Sequence, residues 1–413
     1  MTSRNIVIIG GGPAGVFAAI EAKGRDADAN VTLISEEPCE PYERPPLSKA
    51  VLLGKAVAAD APIAGPKGIA GHGVTLELDT RCAAIDRAAR NVVAADGRHF
   101  PYHALVIATG SVMRQIPALP LGMARVHYLR TEAHADALAR ELRAAQHLAV
   151  IGGGLIGLEV AASAAELGIK VTVIEIAPRI LARVCDEGTS ALVHDTHRRR
   201  GVDIRLNTAL TKARVESDGR IALTTSTNES VIADLVMVGA GAVPDDRLAA
   251  ASGLSVDNGI VVDIHCATSD PHIFAAGDVV RFPGPHGLVR QEDWRHAQDQ
   301  GSVAGRNAAG AGDAYRSVPS FWSEQFDLYI QGVGAPPPGP GQRVRRPGPG
   351  AGQITFDLVE SLVAYAVGIN AQRDMAVVRR LIERRIAVDA AMLTDPTKPL
   401  ADFLKAKTLS QPT

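Results

Sequence analysis

"NIVIIGGGPAGVFAAIEA", residues 5–22, joins an apolar run to three glycines and a helix of small residues, and the fold turns on how it is read. Residues 6–9 have the β-branched continuity of a buried parallel strand. Gly10, Gly12 and Gly15 then spell G-x-G-x-x-G. In that motif the first glycine makes the tight turn, the second lets backbone approach a pyrophosphate, and the third lets helix pack on strand. The helix start turns free N–H groups and a positive dipole end toward the phosphate. Glycine-rich turns are common, so context decides. A second strand, residues 31–34, follows the helix and leads to Glu36, an acid placed to bond a ribose hydroxyl. The alternative for Glu36 is a solvated charge on a loop.

"HLAVIGGGLIGLEVAASAAELG", residues 147–168, repeats the grammar. Residues 148–151 are the strand, Gly152, Gly154 and Gly157 the fingerprint, and residues 171–174 the next strand, closed by Glu175. A carboxylate there pairs with both hydroxyls of an unphosphorylated ribose and repels a 2′-phosphate, which predicts NADH over NADPH. Arg179, four residues on, either caps the following loop, the reading favoured, or binds a phosphate. Two cradles imply two dinucleotides.

Composition bounds the rest. A chain of 413 residues suggests two or three domains, and 46% hydrophobic residues supply large cores. A net charge of −2 points to neither nucleic acid nor a membrane surface. Residues 6–9 are too short for a signal peptide. No window reaches the roughly 18 uncharged apolar residues of a membrane helix. Cys39, Cys82, Cys185 and Cys266 are scattered without a C-x-x-C, so neither a zinc site nor a disulfide framework is indicated, and a reducing cytoplasm fits.

Two more strands end in chemistry. "ALVIATGS" (residues 104–111) closes on Thr109-Gly110, and "HIFAAGDVV" (residues 272–280) on Gly277-Asp278. With these the chain resembles the two-dinucleotide-binding flavoprotein superfamily. The resemblance implies that Gly10, Gly12, Pro13, Ala14 and Gly15 hold the FAD pyrophosphate, that Thr109 and Gly110 close the first FAD segment, and that Asp278 bonds the ribityl and phosphate region. NADH then falls to Gly152, Gly154, Ile156, Gly157, Glu159, Glu175 and Gly241. The expected fold is α/β. It has two Rossmann-like dinucleotide-binding domains, FAD in 1–112 and 247–322 and NADH in 113–246, with an α+β C-terminal domain in 323–413.

"EPYERPPLSK" (residues 40–49) narrows the reading. Disulfide-reducing relatives carry C-x-x-x-x-C here; this chain has Glu40 and Pro45 in those slots. Cys39 reads as a packed loop residue. Together with "VRQEDWRHAQDQG" (289–301), "SFWSEQFD" (320–327) and the tail from Asn370, the stretch resembles the FAD-dependent ferredoxin reductases of oxygenase systems. That resemblance sets Lys49 near the flavin N5 and Trp294 and Glu292 beside the isoalloxazine. By the same resemblance Arg130 is an FAD contact, Trp322 is a structural residue at the FAD site whose nearby backbone reaches the flavin, and Cys82 touches the adenine through backbone alone. Arg44 offers a cationic fork suited to FAD phosphates. Glu159 sits in an otherwise apolar helix, where an acid is costly unless paired, and Lys49 is its expected partner. For Trp294 the residues leave flavin stacking and plain core packing both open.

The activity implied is NADH-dependent reduction of a [2Fe–2S] ferredoxin through FAD, feeding a ring-hydroxylating dioxygenase or a cytochrome P450. Two rivals are a thiol-independent NADH oxidase and a redox-sensing protein resembling apoptosis-inducing factor. Asp245 stands where the family usually has asparagine. Residues 334–352 are rich in proline and glycine and are expected to hold no regular structure. Arg343, Arg345 and Arg346 within them either meet an acidic partner or lie solvated. Arg379, Arg380, Arg384 and Arg385 are a docking surface or the wet face of a helix whose buried side holds Val377, Val378, Leu381 and Ile382.

Overall fold

The computed structural model describes residues 3–284, 287–339, 341–348 and 352–405. The chain divides into two compact units: Met1–Arg44, Val57–Val112 and Ala242–Ser317 form one, and Pro45–Ala56, Met113–Gly241 and Val318–Thr413 the other.

The first unit is organised by a five-stranded parallel sheet in the order Ile273–Ala275, Ala104–Ile107, Asn5–Ile9, Asn30–Ile34, Thr75–Glu77. Its inner strands are apolar on both faces: helices Pro13–Arg25 and Trp294–Ala308 pack on the sheet, Ile85 and Val92 of the antiparallel strands Cys82–Asp86 and Asn91–Ala94 join the same core, and Ile6, Ile8, Leu33, Leu105 and Ile107 are fully buried. Helix Pro13–Arg25 begins with proline in its first turn, where a missing N–H costs nothing.

The second unit repeats the pattern with strands Asp203–Arg205, Lys170–Ile174, His147–Ile151, Leu235–Val238 and Val126–Tyr128, all parallel. Helix Leu155–Glu166 is buried over most of its length. The same unit carries an antiparallel sheet in the order Ser320–Gln325, Leu328–Gly334, Leu362–Ile369, Gln353–Val359, Gln342–Pro347, beside helix Gln372–Glu383. Met375, Val378 and Leu381 form the helix's buried side, with Val377 and Ile382 partly buried. No described helix is long and apolar enough to cross a membrane.

One expectation is overturned. Within 334–352, where no regular structure was expected, Gln342–Pro347 is an edge strand paired with Gln353–Val359. Pro340 and residues 349–351 lie outside the described residues. The prolines flank the strand, and an edge strand tolerates proline and charge. Its arginines are paired within the chain, Arg343 and Arg345 on the exposed surface and Arg346 buried. Arg343 faces Asp357 across the pair and grips it through two bonds of 2.7 and 3.0 Å. Arg345 reaches Asp186 at 3.2 Å. Arg346 is buried and donates to the carbonyls of Leu393, Asp395 and Lys398, tying down the C-terminal segment.

Segment Pro45–Ala56 groups with the second unit, although the sequence places it within the FAD domain. The reason is local: Pro45–Ser48 packs on helix Leu155–Glu166, whose Ser163 hydroxyl donates to the Ser48 carbonyl at 2.8 Å.

Candidate active site

The three glycines of each cradle differ in the room around them. A Cβ on Gly10 would stand 2.2 Å from the Ala108 carbonyl oxygen, and the residue has φ +116°, so the turn admits only glycine. A Cβ on Gly15 would strike the Gly10 carbonyl oxygen at 1.8 Å. A Cβ on Gly12 would meet nothing within 4 Å. The second cradle repeats this closed, open, closed pattern: Gly152 against the Gly239 oxygen at 2.5 Å, Gly154 open, Gly157 against the Gly152 oxygen at 2.2 Å. Neither helix start has a side-chain cap or an acid in its first turn. Each therefore presents unsatisfied N–H groups to an open space, which fits a phosphate.

In the first unit the remaining motifs collect at the carboxyl ends of neighbouring strands, where ligands bind in such sheets. Ile9, Ile107 and Ala275 lie in register across three strands. Gly10 follows directly, and Thr109-Gly110 and Gly277-Asp278 come one alanine later. The Asp278 carboxylate accepts the Ser111 hydroxyl at 2.9 Å, and the Thr109 hydroxyl donates to the Asp245 carbonyl at 2.7 Å. Asp245 itself holds Arg247 through two bonds, so its side chain is occupied. Glu36 is exposed past the second strand. Cys82 is half-buried; burial first, then the charge of Glu36, pushes its thiol up to about 12, far from reactive. Glu292 is ion-paired with Arg290.

Two residues there have partners that sequence reasoning missed. Arg44 pairs with Glu37 at 2.9 Å, and Glu37 also accepts the Tyr42 hydroxyl. Trp294, the first residue of helix Trp294–Ala308, donates its indole N–H to Glu43 and meets Phe17 edge-on with centroids 6.1 Å apart. Burial raises the pKa of Glu43, and the indole bond offsets part of that rise. Glu37 precedes the "PYER" stretch and Glu43 lies within it, but nothing in their spacing names their partners.

The second unit joins Lys49 to Glu159. Glu159 is 5% exposed, and its Oε2 accepts the Lys49 ammonium at 3.0 Å and also the Ser48 hydroxyl. Its Oε1 accepts the Ser323 hydroxyl at 2.7 Å. The expected pair is therefore present, joined by two hydroxyls that no feature of the sequence named. Glu175 accepts the N–H groups of Gly153 at 2.6 Å and Ala177 at 2.7 Å, so it shapes the phosphate turn as well as standing beside it. Arg179 caps the loop, donating to the carbonyls of Cys185 and Ala182. Ile156 is exposed at the second helix start, and Gly241 has φ +95° at the strand-end turn. Arg130 lies just past Val126–Tyr128, and Trp322 is half-buried on Ser320–Gln325.

Two strand–glycine–helix cradles, each with an acid past the next strand, define a protein built to hold two dinucleotides. A family model described as pyridine nucleotide-disulphide oxidoreductase matches residues 4–301, and one described as reductase C-terminal matches residues 320–404. The chain belongs to the pyridine nucleotide-disulphide oxidoreductase family. It is 40% identical over 412 residues to the anthranilate 1,2-dioxygenase system ferredoxin–NAD(+) reductase component of Burkholderia cepacia, covering 98% of this chain and 100% of that one. It is 38% identical to the p-cumate 2,3-dioxygenase system ferredoxin–NAD(+) reductase component of Pseudomonas putida, over 96% of this chain and 98% of that one. Among solved structures it matches the covalent putidaredoxin reductase–putidaredoxin complex with a TM-score of 0.92 and 34% identity, over 98% and 99% of the two chains. Despite the family's name, no disulfide joins any of the four cysteines.

Proposed function

We propose that this chain is the FAD-containing reductase of an oxygenase system, taking electrons from NADH and passing them to a [2Fe–2S] ferredoxin. One NADH and two oxidised ferredoxins give NAD+, two reduced ferredoxins and a proton. The ferredoxin in turn supplies a ring-hydroxylating dioxygenase or a cytochrome P450. The observation that carries this reading is the pair of closed, open, closed cradles in a chain with no thiol at Glu40 or Pro45. Two dinucleotides are accommodated, and electrons have no disulfide to pass through.

Bound FAD supplies the step from a two-electron donor to a one-electron acceptor. The chain's own residues do the rest. Gly10 to Gly15 leave backbone N–H groups for the FAD pyrophosphate, with Glu36 for its ribose, Arg44 for its phosphates and Asp278 for its ribityl region. Gly152 to Gly157 do the same for NADH, with Glu175 for the ribose hydroxyls. Lys49, held by Glu159, carries the positive charge that the family resemblance sets beside the flavin N5. Trp294, held by Glu43, is the candidate aromatic face. Free thiols and the lack of any described membrane helix agree with work in the cytoplasm. Arg380, Arg384 and Arg385 are exposed and suit an acidic partner, whereas Arg379 is turned inward to the Val318 carbonyl.

The test separates the two half-reactions. NADH added without oxygen should bleach the flavin, and oxidised [2Fe–2S] ferredoxin added next should recover the yellow colour while the cluster is reduced. Bleaching that only a disulfide or peroxide reverses would contradict the proposal.

A further inference from the structure

Glu159 is the end of a longer line of buried polar groups, and its charge fixes the direction of every proton in that line. A carboxylate only accepts hydrogen bonds. Ser323 therefore donates its single hydroxyl proton to Glu159 Oε1, 2.7 Å away. The Ser323 oxygen must then accept from Gln325 Nε2 at 2.9 Å, which sets which end of the amide is nitrogen. That setting turns Gln325 Oε1 to His197 Nε2, 2.9 Å away. An amide oxygen cannot donate, so His197 carries its proton on Nε2. Its Nδ1 is buried without a hydrogen-bond partner, which suits a bare lone pair better than a proton. Ser323, Gln325 and His197 are all fully buried. Burial pushes the imidazole pKa down to about 4, so the ring is neutral at pH 7.

We infer that His197, Gln325 and Ser323 form a one-way hydrogen-bond relay that positions Glu159, and through it the Lys49 ammonium, for the reaction with NADH. The local sequence builds it economically. Ser323 and Gln325 are two apart on one strand and so share a face. His197 comes from the last turn of helix Glu187–Arg199 and is braced edge-on by Phe326, with centroids 4.9 Å apart. Each bond polarises the next toward the carboxylate. Held by three groups, Glu159 keeps one oxygen for Ser323 and turns the other to Lys49 and Ser48. His197, Gln325 and Ser323 are positioning residues, acting through Glu159.

This inference rests on the role given above to Lys49 and Glu159 in the NADH half-reaction, and the experiment separates the two. In flavin-loaded wild-type protein with 15N-labelled histidine, the His197 ring, assigned by its loss in His197→Gln, should be the Nε2–H tautomer at neutral pH. Stopped-flow flavin reduction by NADH should slow by about tenfold in Ser323→Ala and in Gln325→Leu, with NADH affinity within about twofold of wild type. Because the links are in series, the double variant should be no slower than the slower single one. A proton on Nδ1, or single effects that multiply in the double variant, would overturn the relay. Should Ser323→Ala or Gln325→Leu not fold, the tautomer of the wild-type ring still decides. A protein that shows the Nε2–H ring yet fails to reduce ferredoxin keeps the relay and loses the function; one that reduces ferredoxin with an Nδ1–H ring does the reverse.

Discussion

Lys49 and Glu159 are joined in a place where neither charge has water to fall back on. The side chains are 18% and 7% exposed, so removing one partner strands the other at a cost of about 3 kcal/mol. Lys49→Met and Glu159→Leu should each slow flavin reduction by NADH, while the double variant should recover part of the loss. Stopped-flow kinetics with urea unfolding would show this non-additivity, and strict additivity would mean the pair does not couple. The pairing was legible because an acid in "LIGLEVAASAA" needs a cation and the family resemblance supplied one. The hydroxyls of Ser48 and Ser323 were not legible, since contacts across 111 and 164 residues leave no local pattern. Glu175 stands past the strand as the sequence indicated, but its acceptance of two backbone N–H groups was not legible. Two consequences follow for it. The wild-type protein should prefer NADH over NADPH by on the order of a hundredfold in kcat/KM, and Glu175→Ala should narrow that ratio. The same change should also destabilise the turn by about 1–2 kcal/mol, since Gly153 and Ala177 lose their acceptor. Equal wild-type rates with both nucleotides would refute the ribose role.

At the scale of elements, the strand–glycine–helix units were readable almost to the residue, because buried parallel strands are continuous apolar runs and their turns demand glycine. Edge strands are harder. Gln342–Pro347 looks like linker composition, and only its partner strand and the acids opposite its arginines make it a strand. The cradles allow a test that distinguishes packing from ligand contact. Gly15→Ala drives a Cβ into the Gly10 carbonyl and should destabilise the flavin-free protein by about 2 kcal/mol. Gly12→Ala meets open space at an ordinary φ of −81°, so it should leave flavin-free stability within about 0.5 kcal/mol. It should nonetheless weaken FAD retention, because the open space is where the pyrophosphate belongs. Thermal unfolding of deflavinated protein beside FAD titration makes the comparison. A Gly12→Ala protein that binds FAD as tightly as wild type would remove the phosphate assignment from this loop.

For the whole molecule, two buried histidines link stability to acidity. Burial lowers the imidazoles of His197 and His296 from 6.5 to about 4, one in each unit. Because the folded value lies below the unfolded one, their contribution is full above pH 6.5 and is lost progressively as pH falls toward 4. The loss amounts to about 3 kcal/mol per ring. Urea midpoints should therefore fall between pH 7 and pH 5, before the paired aspartates titrate, and His296→Phe should flatten the slope; a flat wild-type profile would contradict this. At the same scale the exposed arginines of the C-terminal segment should steer an acidic partner, an attraction that weakens with salt. The central claim is that electrons leave through an iron–sulfur protein. The most direct measurement is steady-state NADH oxidation in air, with and without purified [2Fe–2S] ferredoxin, at low and high ionic strength. The account predicts slow turnover alone, strong stimulation by ferredoxin, and less stimulation as salt is raised. Stimulation indifferent to salt would remove only the arginine docking, whereas rapid oxidation in air with no gain from any ferredoxin would contradict the account and make the protein an oxidase.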